Sequence, residues 1–280
     1  MKWPLNKKPV PYDQVPLYNR YYLYASKASH VDPVMVMGTE IEADSLLAFL
    51  RERNRTGDTL VTTSHALVRA TALALAQFPQ MNVRLVGHRI YSFRAVNIRT
   101  AFVHRGNKEI DVMLISSANT KSLEQIGQEV WQRMLQAGRG GIGRDRDLNK
   151  MRRLPSFVFG QFMRFYGFID RTFPIPTLGR LDELRGGSTM VNDLSSSGAP
   201  PMRMYKPSRF PDSCDSLNLT LGPVETKVVQ REDRFVSIRV MPLFLRADHR
   251  LTDAYEVGRF LSLVRDLMQN PQRLELGADQ

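Results

Sequence analysis

The stretch LFLRADHRLTDAYEVGRF (243–260) joins a long apolar run to an amphipathic helical pattern, with His249 at the junction. The apolar run is typical of a buried strand, and Asp253 followed by Glu256 is typical of the first turn of a helix. A strand on one side and a helix on the other can hold an imidazole in a cleft, where it accepts a proton from a thiol at neutral pH. An isolated histidine is more often structural than catalytic, so the rest of the sequence has to distinguish the two roles.

Patterns on both sides of this stretch predict strands interspersed with helices, without strict βα alternation. Asp253 begins the last helix, which ends before Pro271, and Ser122 with Gln125 forms a capping-box pattern at another helix start. Further helices are predicted over 44–53, 63–78 and 155–173. Strands are predicted over 34–43, 89–93, 95–104, 110–116, 188–192 and 216–221, with a hairpin turn at 231–234. This organisation favours an α/β or α+β sandwich.

The composition is that of a globular protein with an excess of basic residues. The chain of 280 residues has 39 Lys and Arg against 28 Asp and Glu, a formal charge of +11, and 42% hydrophobic residues. These values exclude a disordered or collagen-like chain and suggest an anionic partner. No zinc-finger, RNP or basic-zipper pattern is recognisable, so we expect no nucleic-acid partner.

Cysteine content and the N-terminal sequence bear on the compartment. The single cysteine, Cys214, excludes an internal disulfide framework and a cysteine-cluster zinc site, and we expect no metal. No apolar run could span a bilayer, and MKWPLNKKPVPYDQVP (1–16) lacks the apolar centre of a signal peptide. The sequence therefore predicts a cytoplasmic protein.

The most aromatic part of the chain is the segment 155–173, which follows a basic stretch at 139–153. Gly160 and Gly167 lie seven residues apart on nearly the same helical face. The apolar side chains that repeat there at helical spacing are Val158, Phe162, Phe165 and Ile169. This pattern favours packing in the core or against another subunit. A wall of an acyl pocket, a docking face for a partner and peripheral membrane contact by an interfacial helix remain open.

Five stretches resemble one known family. DHRLTDA (248–254) resembles the His-x-x-x-Asp-Gly signature of the catalytic domains of dihydrolipoamide acyltransferases of 2-oxoacid dehydrogenase complexes, to which chloramphenicol acetyltransferase is related. ALALAQFPQMN (72–82) resembles a helix ending in Phe-Pro-x-x-Asn, and AVNIRTAFV (95–103) a Val-Asn-Ile-x-x-Ala-Val strand. TKSLEQIGQEV (120–130) resembles a Lys-Ser-Leu-x-x-Ile helix, and GGSTMVNDL (186–194) a Gly-Gly-Thr-Phe-Thr-Ile-Ser-Asn-Leu strand. Their order and approximate spacing agree with the family.

The resemblance implies a two-layer sandwich of the chloramphenicol acetyltransferase type, in which a mixed sheet packs against helices. We expect an N-terminal arm at 1–20 and an acyltransferase-like catalytic domain at 21–280. The segment 139–185 is longer than the family's usual connector and is expected to be an insertion. A lipoyl domain does not fit into the arm, so we expect no covalent lipoyl group on this chain. The acceptor would then be free or borne by a separate lipoyl- or acyl-carrying protein.

The function that the resemblance implies is that of a stand-alone coenzyme A-dependent acyltransferase, a homotrimer with active sites at the subunit interfaces. His249 would be the general base that deprotonates the thiol of coenzyme A or of a dihydrolipoyl group. The thiolate would attack an acyl thioester, and a hydrogen-bond donor would stabilise the oxyanion. Asn192 occupies the position where family members have Ser or Thr, and its amide can also donate. Asp253 would fix local geometry rather than transfer protons.

Departures from the family pattern support a second hypothesis. Asn192 replaces the family hydroxyl, and Ala254 replaces the glycine that follows the signature Asp. A catalytically weak or inactive relative would instead act as an oligomeric scaffold or binding protein. A third hypothesis is binding of an anionic surface through 139–173, which is basic and then aromatic. The sequence favours the enzyme because His249 and Asp253 are both present.

Overall fold

The computed structural model describes residues 34–86, 89–104, 109–138, 154–172, 187–195, 198, 200, 216–249 and 251–275. The predicted arm at 1–20 lies outside the described residues. Of the predicted insertion at 139–185, only 154–172 is described.

A mixed sheet of seven strands forms one layer. The described strands are β1 (Val34–Glu42), β2 (Val83–Val86), β3 (Arg89–Ser92), β4 (Ile98–His104), β5 (Glu109–Ile115), β6 (Thr189–Asp193), β7 (Leu217–Leu221), β8 (Glu225–Arg231) and β9 (Arg234–Asp248). The order across the large sheet is β1-β9-β7-β6-β4-β5, and β8 pairs with the first half of β9. The pairs β4–β6 and β6–β7 are parallel and the other pairs are antiparallel. β2 and β3 form a separate two-stranded sheet.

Helices on one face of this sheet form the second layer. The described helices are α1 (Asp44–Thr56), α2 (Thr63–Gln77), α3 (Leu123–Gly138), α4 (Ser156–Thr172) and α5 (Ala254–Gln269), and all of them except α4 contribute side chains to this layer. One apolar cluster joins sheet residues such as Leu219 and Leu245 to Leu67 of α2, Ile126 of α3 and Phe260 of α5. The prediction of a two-layer sandwich with a mixed sheet is therefore confirmed.

Two helices begin with reciprocal or near-reciprocal capping contacts. At α3, the Gln125 N–H donates to the Ser122 hydroxyl over 3.1 Å, and the Ser122 N–H donates to the Gln125 side chain over 2.8 Å, as the sequence predicts. At α2, the Thr62 N–H donates to Nδ1 of His65 over 3.2 Å. Here a histidine stands where a capping box normally has Glu or Gln, so the pattern does not indicate it.

The apolar stripe predicted on the aromatic segment does not enter the core of the chain. Its Val158, Phe162 and Phe165 are 44%, 41% and 64% exposed. Among the α4 residues whose burial the structure describes, Phe159, Gly160 and Gly167 are buried. α4 lies against β2, and both glycines are on its buried side, opposite the exposed aromatic side chains. These three side chains therefore do not pack in the core of the chain, and packing against another subunit, the other half of the prediction, stays a prediction. None of the described helices is long and apolar enough to cross a membrane.

Candidate active site

His249 follows the last paired residue of strand β9. Asp248 pairs with Val34 of β1, and its N–H donates to the carbonyl of Ser216 over 2.9 Å. The N–H of Leu251 then donates to the Asp248 carbonyl over 2.9 Å, which turns the chain towards α5. The His249 side chain is exposed at this turn. The structure thus places His249 at the strand-to-helix junction that the sequence predicts.

One ring nitrogen of His249 is held by the turn. Its Nδ1 lies 2.9 Å from the carbonyl oxygen of Thr252. Because a carbonyl oxygen can only accept, this bond requires the hydrogen on Nδ1 and leaves Nε2 of the neutral ring with a free lone pair. The backbone therefore selects the tautomer in which Nε2 can take a proton, and the same bond limits rotation of the ring.

Asp253 is the N-cap of α5. Its Oδ1 accepts a hydrogen bond from the Glu256 N–H over 2.9 Å, and its backbone is extended, as an N-cap requires. The carboxylate of Glu256 accepts from the Gln80 side chain over 2.9 Å and so ties the first turn of α5 to the turn after α2. The N-cap that the sequence predicts at Asp253 is therefore present, and its contribution to catalysis stays a prediction.

Asn192 lies near the end of β6, in the middle of the sheet. It pairs in register with Thr220 of β7, and its half-buried side chain donates to the side-chain oxygen of Asn218 over 2.9 Å. A side-chain amide has two N–H groups, so one hydrogen remains for another acceptor. The bond to Asn218 fixes the plane of the amide.

The register of the sheet separates His249 from Asn192 within one chain. Asn192 is opposite Thr220, and Thr220 is opposite Phe244 of β9. His249 lies five residues beyond Phe244, about 16 Å along the strand, and two strand spacings add about 10 Å across the sheet. The two residues are therefore roughly 19 Å apart. One chain does not bring them together, and a site that uses both needs two copies of the chain.

A polar cluster that sequence reasoning missed anchors the end of β6. The Thr63 hydroxyl donates to Oδ2 of Asp193 over 2.6 Å and lies 2.7 Å from the Ser195 hydroxyl. The Ser195 N–H donates to Oδ1 of Asp193 over 2.7 Å. These bonds hold the residue next to Asn192 against the first turn of α2. Thr63 and Asp193 are 130 positions apart, so no local pattern could have indicated the contact.

A groove of about 600 Å³ opens between the end of α2 and the start of α5. Arg259 lies in it, with its guanidinium carbon 5.4 Å from the ring centre of Phe78 and 5.7 Å from that of Tyr255. Stacking on two aromatic rings orients this cation. Ala254, which follows the N-cap Asp253, also lines the groove. In the part of the chain that is described, no three His, Cys, Asp or Glu side chains come together as metal ligands would.

Comparisons with known proteins agree with this architecture. The acetyltransferase component 3 of the mitochondrial pyruvate dehydrogenase complex of Arabidopsis thaliana is 23% identical over 239 residues, which are 83% of this chain and 36% of that protein. The lipoamide acyltransferase component of the branched-chain alpha-keto acid dehydrogenase complex of Bacillus subtilis is 23% identical over 72% of this chain and 38% of its own length. The chain thus spans little more than a third of these relatives.

A solved structure and a family model cover most of the chain. The dihydrolipoamide acetyltransferase of Azotobacter vinelandii superposes with a TM-score of 0.68 at 16% identity, over 97% of this chain and 95% of that one, and so shares the fold. The model of the family described as 2-oxoacid dehydrogenases acyltransferase (catalytic domain) matches residues 24–150 and 180–276. These two ranges hold all five stretches whose resemblance the sequence indicated. The chain therefore belongs to the 2-oxoacid dehydrogenase acyltransferase family, as a relative of its catalytic domain.

Proposed function

We propose that the protein transfers an acyl group between a thioester and a thiol, one of which is coenzyme A, with His249 as the general base. The observation that carries the proposal is the exposed imidazole at the end of β9, whose Nδ1 is bound to the Thr252 carbonyl over 2.9 Å. A base must offer a free lone pair to the thiol, and Nε2 has one in this tautomer. Membership of an acyltransferase family supports the reaction class.

The proposed reaction needs one base and one oxyanion donor. Nε2 of His249 takes the thiol proton, and the thiolate adds to the thioester carbonyl to give a tetrahedral oxyanion. Collapse of this intermediate breaks the original carbon–sulfur bond. The departing thiolate takes the proton back from the imidazolium, so the base is regenerated. The second thiol or acyl group would arrive free or on a separate lipoyl- or acyl-carrying protein.

Asn192 is the proposed oxyanion donor, acting from a neighbouring subunit. Its remaining amide hydrogen can bind the oxyanion, while the bond to Asn218 holds the amide in place. The separation of roughly 19 Å from His249 within one chain supports a site built from two copies. A homotrimer with three equivalent interfaces satisfies this requirement, because each His249 then meets an Asn192 of the next copy.

The β8–β9 hairpin offers a surface for the contact between subunits. Phe235 is 79% exposed and Val228 is 69% exposed. Phe235 is opposite Gln230 and Val228 is opposite Ser237, so both apolar side chains are on the same face of the hairpin. Burial of such exposed apolar side chains against another subunit stabilises the oligomer.

Replacement of the base tests the proposed reaction. In an assay that separates coenzyme A from acetyl-CoA by chromatography, with dihydrolipoamide as acceptor, His249→Ala should lower the rate of coenzyme A formation by about 10²- to 10⁴-fold. Sedimentation should show an unchanged oligomer. His65→Gln is the matched control, because His65 is buried and bound to Thr62 and should leave the rate near that of the wild type. An unchanged rate in His249→Ala would refute the proposal.

Subunit complementation tests the shared site. His249→Ala and Asn192→Ala should each be nearly inactive as pure trimers. After dissociation and mixing in equal amounts, about a quarter of the sites should combine an intact His249 with an intact Asn192 from the next copy. Recovered activity near that fraction supports the two-copy site. No recovery, in mixtures shown to have exchanged subunits, contradicts it.

A second candidate function is that of an oligomeric scaffold without catalysis. It is favoured by the amide at Asn192, already bound to Asn218, and by Ala254 at the family's glycine position. This candidate predicts a stable oligomer that transfers no acyl group from several acyl-CoA donors. Robust acetyl transfer to dihydrolipoamide by the wild type would exclude it.

A further inference from the structure

Helix α4 lies outside the two ranges of the chain that the family model matches. The family model matches residues 24–150 and 180–276, so the whole of α4 (156–172) lies between the two matched ranges. The helix lies against β2, and its buried residues include Phe159, Gly160 and Gly167. α4 therefore packs through the side that carries its two glycines, and its opposite side is exposed on the surface.

The outward side of α4 is a broad aromatic face. At 100° per residue, its exposed apolar side chains fall within an arc of about 140°. Phe157, Phe165 and Phe168 are 73%, 64% and 51% exposed, and Phe162 and Val158 are 41% and 44% exposed. Exposed Gln161 and Arg164 lie within or at the border of this arc. Contiguous exposed apolar surface of this kind marks a contact site. We name these five apolar side chains the α4 face.

Charge indicates what kind of surface the α4 face contacts. The chain has a formal charge of +11, and the sequence just before the helix, 139–153, has six Lys and Arg against two Asp. A helix with an aromatic face, a basic residue at its border and basic sequence next to it has the features of one that lies in the interface of an anionic bilayer. A second copy of the chain is a less favoured partner for the α4 face. Subunit contacts that the family shares would be made by the residues that the family model matches, and α4 is not among them.

We infer that the α4 face binds the surface of a membrane that contains anionic lipids, with the helix parallel to the bilayer plane. Phenylalanine rings enter the boundary between head groups and acyl chains, and the positive charge of the protein adds attraction to anionic head groups. The α4 face shares no residue with the proposed acyl-transfer site, so membrane binding does not require that proposal to be correct.

Flotation of the full chain with lipid vesicles tests this inference. The wild type should float with vesicles of phosphatidylcholine and phosphatidylglycerol, and less with phosphatidylcholine alone or at high salt. The double variant Phe157→Ser/Phe165→Ser should lower the partition coefficient at least about tenfold. Both side chains are mostly exposed, so the fold should persist. Leu60→Ser, which changes a 52% exposed apolar side chain outside α4, should bind as the wild type does.

Three results would overturn the inference. The first is a wild type that does not float with anionic vesicles. The second is a double variant that still floats, which would place the lipid contact elsewhere. The third is a double variant whose sedimentation shows a smaller oligomer, because the α4 face would then join copies of the chain. Unchanged oligomeric state with lost flotation supports a lipid-binding face.

Discussion

Acid should destabilise this protein in part through one buried histidine, and replacing it should remove that part. His65 is 3% exposed, and burial lowers the pKa of its imidazole from the usual 6.5 to about 4. The ring contacts Trp131 edge-on, with ring centres 6.2 Å apart, and accepts the Thr62 N–H on Nδ1. A protonated ring would lose this acceptor and carry an unsolvated charge. The ring is therefore neutral in the folded state well below neutral pH.

The pH window follows from the two pKa values. As the pH falls below about 6.5, His65 of the unfolded chain takes up a proton, while folded His65 stays neutral until about pH 4. The unfolded state thus binds more protons, and the free energy of unfolding falls as the pH is lowered. With these pKa values the loss between pH 7 and pH 5 is about 2 kcal/mol, and it is complete below the folded pKa.

Comparison with His65→Gln isolates this contribution. Gln at this position can accept the Thr62 N–H in an ordinary capping box and does not titrate. Urea denaturation at pH 7, 6 and 5 should give a free energy of unfolding that falls by about 2 kcal/mol more in the wild type than in the variant. A fixed cost of the substitution, such as lost contact with Trp131, appears equally at each pH. Parallel pH profiles of the two proteins would refute the reasoning.

Three further changes test other contacts. Asp253→Ala should lower the free energy of unfolding by about 1 kcal/mol in urea denaturation. Asp253→Ser retains an N-cap side chain, so both the stability and the acyl-transfer rate should stay near those of the wild type. Loss of transfer in the Ser variant would instead give the carboxylate charge a catalytic role. Gly187→Ala should lower the free energy of unfolding by about 2 kcal/mol, because the added Cβ would lie 2.4 Å from the Asn97 carbonyl oxygen. In the control Gly258→Ala the added Cβ has its nearest neighbour at 3.7 Å, so the stability should not change. Equal melting temperatures of the two variants would contradict this prediction. Phe235→Ser should weaken subunit association by about 2 kcal/mol in sedimentation equilibrium, and an unchanged oligomer would exclude the hairpin as the contact.

Features set by neighbouring residues could be predicted from the sequence. The Ser122–Gln125 capping box, the Asp253 N-cap and the position of His249 after a strand each depend on a few consecutive residues, and the structure has all three. The mixed sheet and its packed helices also follow from alternating patterns and from five motifs in family order.

Features set by distant residues could not be predicted. A helical stripe says which side chains share a face but not which face is buried, and on α4 the glycine side proved to be the inner one. The Thr63–Asp193 bond and the contact between His65 and Trp131 join positions far apart in the chain. The bond of His249 to the Thr252 carbonyl depends on turn geometry that residue types do not encode.

The sheet register is what links the fold to the proposed chemistry. β9 lies between β1 and β7, and its last residues pair with both strands. The sheet therefore fixes the position of the backbone from which the His249 side chain extends. The same register places Asn192 two strands away and roughly 19 Å from His249, a distance that a side-chain movement cannot close. If both residues act on one thioester, association is part of catalysis and not only of stability. The catalytic rate per chain should then fall when the protein is diluted below the dissociation constant of the trimer, in step with the fraction of trimer measured by sedimentation. A rate per chain that is constant through dissociation would show that Asn192 is not the donor.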